Sequence, residues 1–334
     1  MKKFLIKKIR CLPQFKEFAQ KSIFKKTWNW LENGSEWGNT ANLNLKDLRK
    51  IKIIPKIFSY NSKSFAANSL FGTKMPLPLI IAPMGHLTQF HKDGEAELAL
   101  GAQKSSTFIT ISGALSRLKL SDIKKKAKYS KILYQIYFFN NKKWIENEIK
   151  KAIDINVKGF VFTVDSPAAS KKYLTLSDNY DARKFGRRTN FSNIIKKNLL
   201  PNWRDIRWLK SKLKRKPLII KGIMDANDAV KAFKFGADAI WVSNHGGRAF
   251  ESNVSSIEML PKIRKKIGKK KLVIFDGGIR TGSDIVKACY LGANIVSIGR
   301  PSIYGLILGG SDGVKETFEM FKQEYFSAKK LSGH

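Results

Sequence analysis

From about residue 79 onward, the chain alternates short continuous apolar runs with longer amphipathic stretches. The apolar runs fall at 79–82, 108–112, 132–137, 160–164, 218–221, 239–243, 272–276 and 295–299. Continuous apolar runs of this length suit parallel strands buried on both faces. Helical spacing fills most of the gaps. After Lys221-Gly222, Asp225 can cap a helix whose apolar positions Ala229, Val230 and Phe233 recur at helical intervals, and Gly236 can end it. The segment 228–237 resembles 284–293, an offset of 284 − 228 = 56 residues and room for two βα units. Eight strands with intervening helices predict an α/β fold, a (β/α)8 TIM barrel. An open doubly wound sheet requires a Gly-x-Gly-x-x-Gly turn after an early strand, and the chain has none. Residues 1–75 are expected to form an N-terminal helical cap packed on a barrel of residues 76–334. The connection after the fourth strand exceeds fifty residues, and its polar, basic part, 177–200, reads as a mobile loop followed by a helix near 203–213.

The remaining composition narrows the setting. At 334 residues and 43% hydrophobic, the chain can bury a large core. No apolar run approaches the roughly 20 residues of a membrane span. The basic N-terminus has only Phe4-Leu5-Ile6 as an apolar run, too short for a secretory signal, and reads as a surface helix. Cys11 and Cys289 are too few for a disulfide framework, so a reducing cytoplasm is expected, with peripheral membrane contact as a variant of that setting. The net charge of +37 invites a nucleic-acid partner, but the basic residues are spread over the whole chain and are mostly Lys. No nucleic acid is expected; a basic barrel serving as a nucleic-acid or membrane-surface binder is the rival reading, separable by the salt dependence of RNA binding.

The active site of a barrel lies where its strands end. Those ends carry Ala82-Pro83-Met84, Ser112, Gln135 and Tyr137, Thr163 and Asp165, Lys221, Ser243-Asn244-His245-Gly246-Gly247-Arg248, Asp276-Gly277-Gly278-Ile279-Arg280 and Gly299-Arg300. Glycine turns after the last two strands let backbone N–H groups approach a phosphate, helped by the following helix N-termini and by Arg280 and Arg300. His245 three positions before Arg248 suggests a base beside a guanidinium that holds a carboxylate. Asp165 can orient and charge-stabilise the imidazole, Tyr137 offers a hydroxyl, and Lys221 can stabilise negative charge. His86 and His91 lack a carboxylate motif at ligand spacing, so no metal is expected. The residues alone therefore reach a phosphate-containing cofactor, a His base and an anionic substrate, without identifying a flavin.

The motifs at 243–248, 276–280 and 298–301 resemble those of the FMN-dependent α-hydroxy-acid dehydrogenases and oxidases, a family that includes glycolate oxidase, lactate oxidase and the flavin domain of flavocytochrome b2. Ala82-Pro83, His91 with Gly94-Glu95, Gln135-x-Tyr137, 163–167 and 221–223 support the likeness, which runs from about residue 28 to 326. The resemblance implies FMN and oxidation of a small L-2-hydroxy acid, lactate-like, to the 2-keto acid, with His245 as base and hydride transfer to the flavin. It assigns Asp165 to the imidazolium, Arg248 and Tyr137 to the substrate, and Lys221 to the reduced flavin. Ser112, Gln135, Thr163 and the backbone of 82–85 fall to the flavin ring, with Ser243 at the same strand ends. Asp276, Gly278, Arg280, Gly299 and Arg300 fall to the ribityl phosphate. It also implies a homo-oligomer, a tetramer, and leaves oxygen, a quinone or a cytochrome open as electron acceptor.

Three positions depart from the family pattern. Trp30 stands where a Tyr is usual, Lys172 where a second substrate Arg is usual, and Met84-Gly85 follows Ala82-Pro83. All three touch the substrate end, so a bulkier or peptide-linked substrate is the second enzyme reading.

Overall fold

A computed structural model describes residues 8–59, 69–138, 141–182 and 200–334. Eight parallel strands close into a barrel: β3 Leu79–Met84, β4 Phe108–Ser112, β5 Lys131–Ile136, β6 Gly159–Thr163, β7 Leu218–Ile223, β8 Ala239–Val242, β9 Leu272–Phe275 and β10 Ile295–Ile298. Each pairs with its neighbours in chain order, and β10 closes on β3 through Val296–Leu79 and Ile298–Ile81. The expected (β/α)8 barrel is the fold. Each expected apolar run contains its strand to within two residues at either end.

Side chains on one strand alternate inward and outward. The lower inward positions form one apolar cluster, with Ile80, Phe108, Leu133, Val161, Ile219, Ala239, Trp241, Ile274 and Ile295. Two residues further along the same strands the inward positions turn polar: Thr110 and Ser112 on β4, Gln135 on β5, Thr163 on β6, Lys221 on β7 and Ser297 on β10. The strand pattern thus puts an oily plug at one end of the barrel and chemistry at the other. The outward positions pack under the surrounding helices as a second, larger core.

The repeated segment resolves into two equivalent helices, α9 Ala226–Lys234 and α11 Gly282–Tyr290. Asp225 caps the first by accepting from the amides of Asn227 and Asp228, and Thr281 with Asp284 forms a capping box on the second. Between them lies α10 Ser256–Ile267. The helix expected near 203–213 is α8 Trp203–Lys212. The loop expected over 177–200 falls mostly on residues outside those described, and before it stands an unexpected short helix, α7 Tyr173–Ser177.

The N-terminal part does two jobs. Helices α1 Leu12–Lys21, α2 Lys25–Glu32 and α3 Asn39–Lys50 lie towards the mouth. Instead of riding on the surface, α1 buries Leu12, Phe15 and Ala19 against the long C-terminal helix α12 Arg300–Ser332. Residues 69–74 form a small hairpin, β1 Ser69–Leu70 with β2 Thr73–Lys74, whose Leu70, together with Met75 just after it, plugs the lower end of the barrel interior. The remaining helices α4 Gly94–Lys104, α5 Leu120–Lys126 and α6 Lys142–Asp154 complete the outer ring.

Candidate active site

A cavity opens at the C-terminal ends of the strands. Its walls include Trp30, Ala82, Pro83, Met84, Gln135, Tyr137, Lys221, His245, Arg248, Asp276, Gly278, Arg280, Ser297, Gly299 and Arg300. Fourteen of the expected site residues therefore share one cavity. Ser112, Thr163 and Ser243 lie buried at the upper strand ends, while Asp165 and Lys172 stand behind His245 and Arg248.

His245 is fixed from several sides. It begins a single 3-10 turn with φ +59°, and its backbone N–H donates to Ser243 Oγ at 3.1 Å. Asn44 of α3 exchanges two amide hydrogen bonds of 2.8 Å with Asn244, which pins the turn to the N-terminal helices. A Cβ at Gly247 would collide with Ala41 of α3, so close approach of the backbones requires that glycine, whereas Gly246 is favoured by its φ of +63°. His245 Nδ1 lies 2.8 Å from Asp165 Oδ1 and 3.1 Å from Ser166 Oγ. Burial opposes ionisation of Asp165, but the charges of His245 and Lys221 outweigh it and hold its pKa below the ordinary value. An ionised carboxylate only accepts, so in the neutral imidazole the proton sits on Nδ1 and the lone pair on Nε2. The pair is a positioned base with a built-in counter-charge. Ser166 is a partner that the sequence did not assign; its place beside Asp165 was the only signal.

Tyr137 is buried, and burial together with the Asp165 charge pushes its hydroxyl well above its ordinary pKa. It is a neutral donor at physiological pH. Arg248 Nη1 donates to the carbonyls of Trp30, Leu31 and Asn33 at 3.0, 3.1 and 2.6 Å, which caps the C-terminal end of α2. That leaves Nε and Nη2 for an anion. Its guanidinium carbon lies 4.9 Å from the Trp30 ring centroid. Lys172 Nζ donates to Ser170 Oγ at 2.9 Å, and Ser170 Oγ donates to the Arg248 carbonyl at 2.6 Å. Burial and the adjacent Arg248 lower Lys172 to about 8.

At the other end, Lys221 donates to Ser243 Oγ at 2.7 Å, Ser243 Oγ donates to Asp276 Oδ1 at 2.6 Å, and Lys221 stands 3.4 Å from Asp276 Oδ2. Gln135 donates to Thr163 Oγ1 at 2.6 Å. Gly277 and Gly278 have φ of +116° and +89°, and a Cβ at Gly278 would sit 2.6 Å from the Asn44 carbonyl oxygen. Helix α12 begins at Arg300 without a side-chain cap, so its N-terminus borders the cavity with no side chain bonded over it. Arg300 is shared among the carbonyls of Leu31, Glu32, Asn33 and Gly246, and lies 3.9 Å from the Glu32 carboxylate. The charges of Arg300, Arg280 and Lys16 outweigh burial and keep Glu32 ionised, and Tyr304 donates to it at 2.6 Å. Glu32 is the second residue the sequence missed, because it joins the site only through the approach of α2 to α12.

These residues fit FMN on the structure's own terms. The hydroxyls of Ser112 and Ser297 are buried at the polar end of the barrel without a partner among the described residues, as donors awaiting a heteroaromatic ring are. The glycine turns, the uncapped helix and Arg280 form a cradle for one phosphate. No group of His, Cys, Asp and Glu suited to a metal occurs among the described residues.

Comparison with known proteins gives the family. Residues 19–334 match the family of FMN-dependent dehydrogenases. The chain is 31% identical to 2-hydroxyacid oxidase 2 of Bos taurus, covering 97% of this chain and 94% of that one. It is 28% identical to L-lactate dehydrogenase of Vibrio cholerae, over 92% of this chain and 90% of the relative. The crystal structure of mandelate oxidase superposes with a TM-score of 0.90 at 28% identity, covering 97% and 94% of the two chains.

Proposed function

The chain belongs to the FMN-dependent dehydrogenase family, an FMN enzyme that oxidises 2-hydroxy acids, and from that premise we propose that its substrate is a small L-2-hydroxy acid, lactate-like, and that His245 is the base. The observation that carries the reading is the 2.8 Å contact between His245 Nδ1 and Asp165, which leaves Nε2 free in a cavity shared with Arg248 and Tyr137.

FMN, when bound, supplies the acceptor for the hydride that leaves the substrate carbon. Arg248 receives the carboxylate through the nitrogens not committed to α2, with the Lys172 ammonium as a second charge behind it. Tyr137 donates to a substrate oxygen. His245 Nε2 takes the hydroxyl proton, and Asp165 stabilises the imidazolium that results. Lys221 brings positive charge to the cofactor end of the site. Ala82, Pro83 and Met84 would wall the cofactor on one side, and Gln135, Thr163, Ser112 and Ser243 would meet it from the barrel. Arg280, Arg300, Gly278, Gly299 and Asp276 stand at the phosphate end.

A bulkier aromatic acid is the second reading. Trp30, Met84, Leu115 and Ile303 give the cavity an apolar wall, and a structure of a mandelate oxidase variant contains (S)-mandelic acid. A panel of glycolate, L-lactate, longer aliphatic 2-hydroxy acids and (S)-mandelate, assayed for keto-acid formation, decides between them. Highest kcat/KM for L-lactate or a slightly longer acid supports the proposal; a clear preference for glycolate or mandelate overturns its substrate.

A further inference from the structure

Barrel interiors are filled mainly by branched aliphatic side chains. Most of the lower interior follows that rule, with Ile80, Leu133, Val161, Ile219 and Ile274. Trp241 does not. It is fully buried, and its Nε1–H has no hydrogen-bond partner among the described residues. A buried indole normally finds an acceptor, and an orphaned donor is costly, so its presence there demands a reason.

The adjacent strand supplies one. Trp241 on β8 is in register with Lys221 on β7, and Lys221 Nζ lies 5.4 Å from the Trp241 ring centroid. Lys221 is only 3% exposed. Its ammonium is met by Ser243 Oγ at 2.7 Å and by Asp276 at 3.4 Å, and its charge is felt by Asp165. A buried ammonium is expensive unless compensated, and an aromatic face beneath it is one form of compensation. An aliphatic residue at this position would carry no orphaned N–H, but would leave part of the space unfilled and offer no such face.

We propose that Trp241 is a positioning residue whose ring holds the Lys221 ammonium charged and raised at the floor of the FMN pocket, and so makes the bound cofactor easier to reduce. The inference rests on the reading that Lys221 faces the reduced cofactor. Two properties of the holoenzyme report on it without turnover: the midpoint potential of bound FMN, by anaerobic dye equilibration, and the dissociation constant of sulfite, which bleaches flavins most strongly where positive charge lies close. Trp241→Leu is expected to keep FMN, weaken sulfite binding about tenfold and lower the potential in step, by about 30 mV for a two-electron couple. Trp241→Phe, which keeps a smaller aromatic face, is expected to fall between Leu and the parent. A Leu variant with the parent's potential and sulfite affinity would overturn the proposal. So would a Phe variant as impaired as Leu, which points to shape alone, or loss of FMN from both variants, which points to the scaffold. Lys221→Met separates the two levels: if that variant holds FMN at an unchanged potential, the assignment of Lys221 itself fails.

Discussion

Lys172 and Arg248 divide the work of anion recognition unequally. Arg248 spends one nitrogen on three backbone carbonyls and is rigidly placed. Lys172 is a single point charge whose pKa burial and Arg248 bring down to about 8. The ammonium is present below that pH and disappears as pH rises through it, so its help to a substrate carboxylate is lost in the same interval. KM for the substrate is therefore expected to rise above about pH 8 while kcat changes little; Lys172→Arg, charged throughout, should flatten that limb. An unchanged KM profile in the Arg variant would mean that Lys172 takes no part in binding. Trp30 lines the same cavity, and its indole N–H is placed differently from the O–H of the Tyr usual at this position. Trp30→Tyr restores a phenol and is expected to tighten small-acid binding by roughly one hydrogen bond, about 0.5–1.5 kcal/mol. Equal inhibition constants for a small keto acid in both proteins would contradict that.

Among the elements, the strands were the most legible, because burial on both faces writes them as unbroken apolar runs. The hairpin at 69–74 was not, since strands of two residues carry no period. Its Leu70 is fully buried in the barrel interior, so Leu70→Ala is expected to cost about 2–5 kcal/mol in urea unfolding, with the site's chemistry untouched. The regular geometry of helix α12 breaks at Gly309 and Gly310. Glu97 of α4 bridges the break by accepting from the Ser311 amide at 2.6 Å, and pairs with Lys126 at 2.7 Å. Burial opposes its charge, but Lys126 and Ser311 prevail and lower its pKa to about 2. A carboxyl with a depressed folded-state pKa stabilises fully above its unfolded value and progressively less as pH falls towards the folded one. Glu97→Gln should therefore cost about 1–3 kcal/mol near neutrality, and the gap from the parent should narrow between pH 4.5 and 2. A gap that stays constant with pH would show that the ion pair is not its source.

At the scale of the whole molecule, the sequence revealed the mouth of the barrel better than what closes over it. Strand-end motifs are local, so His245, Asp165, Lys221 and the glycine turns were readable in place. Glu32 and the capping of α2 by Arg248 and Arg300 depend on elements more than two hundred residues apart coming together, which no spacing announces. The charge of +37 acts at this scale too. It draws small anions towards the mouth, and salt screens that attraction over about 10 Å at 0.1 M. Thus kcat/KM for an anionic substrate is expected to fall as ionic strength rises, and kcat to hold. As proposed, this barrel carries FMN and uses His245 to start 2-hydroxy-acid oxidation. Anaerobic mixing of the FMN-loaded protein with L-lactate tests it most directly. Bleaching of the flavin is expected in the parent and, in His245→Ala, retained FMN with bleaching slower by about 10²–10⁴-fold. Equal bleaching rates in the two proteins, or a parent that does not hold FMN, would contradict it.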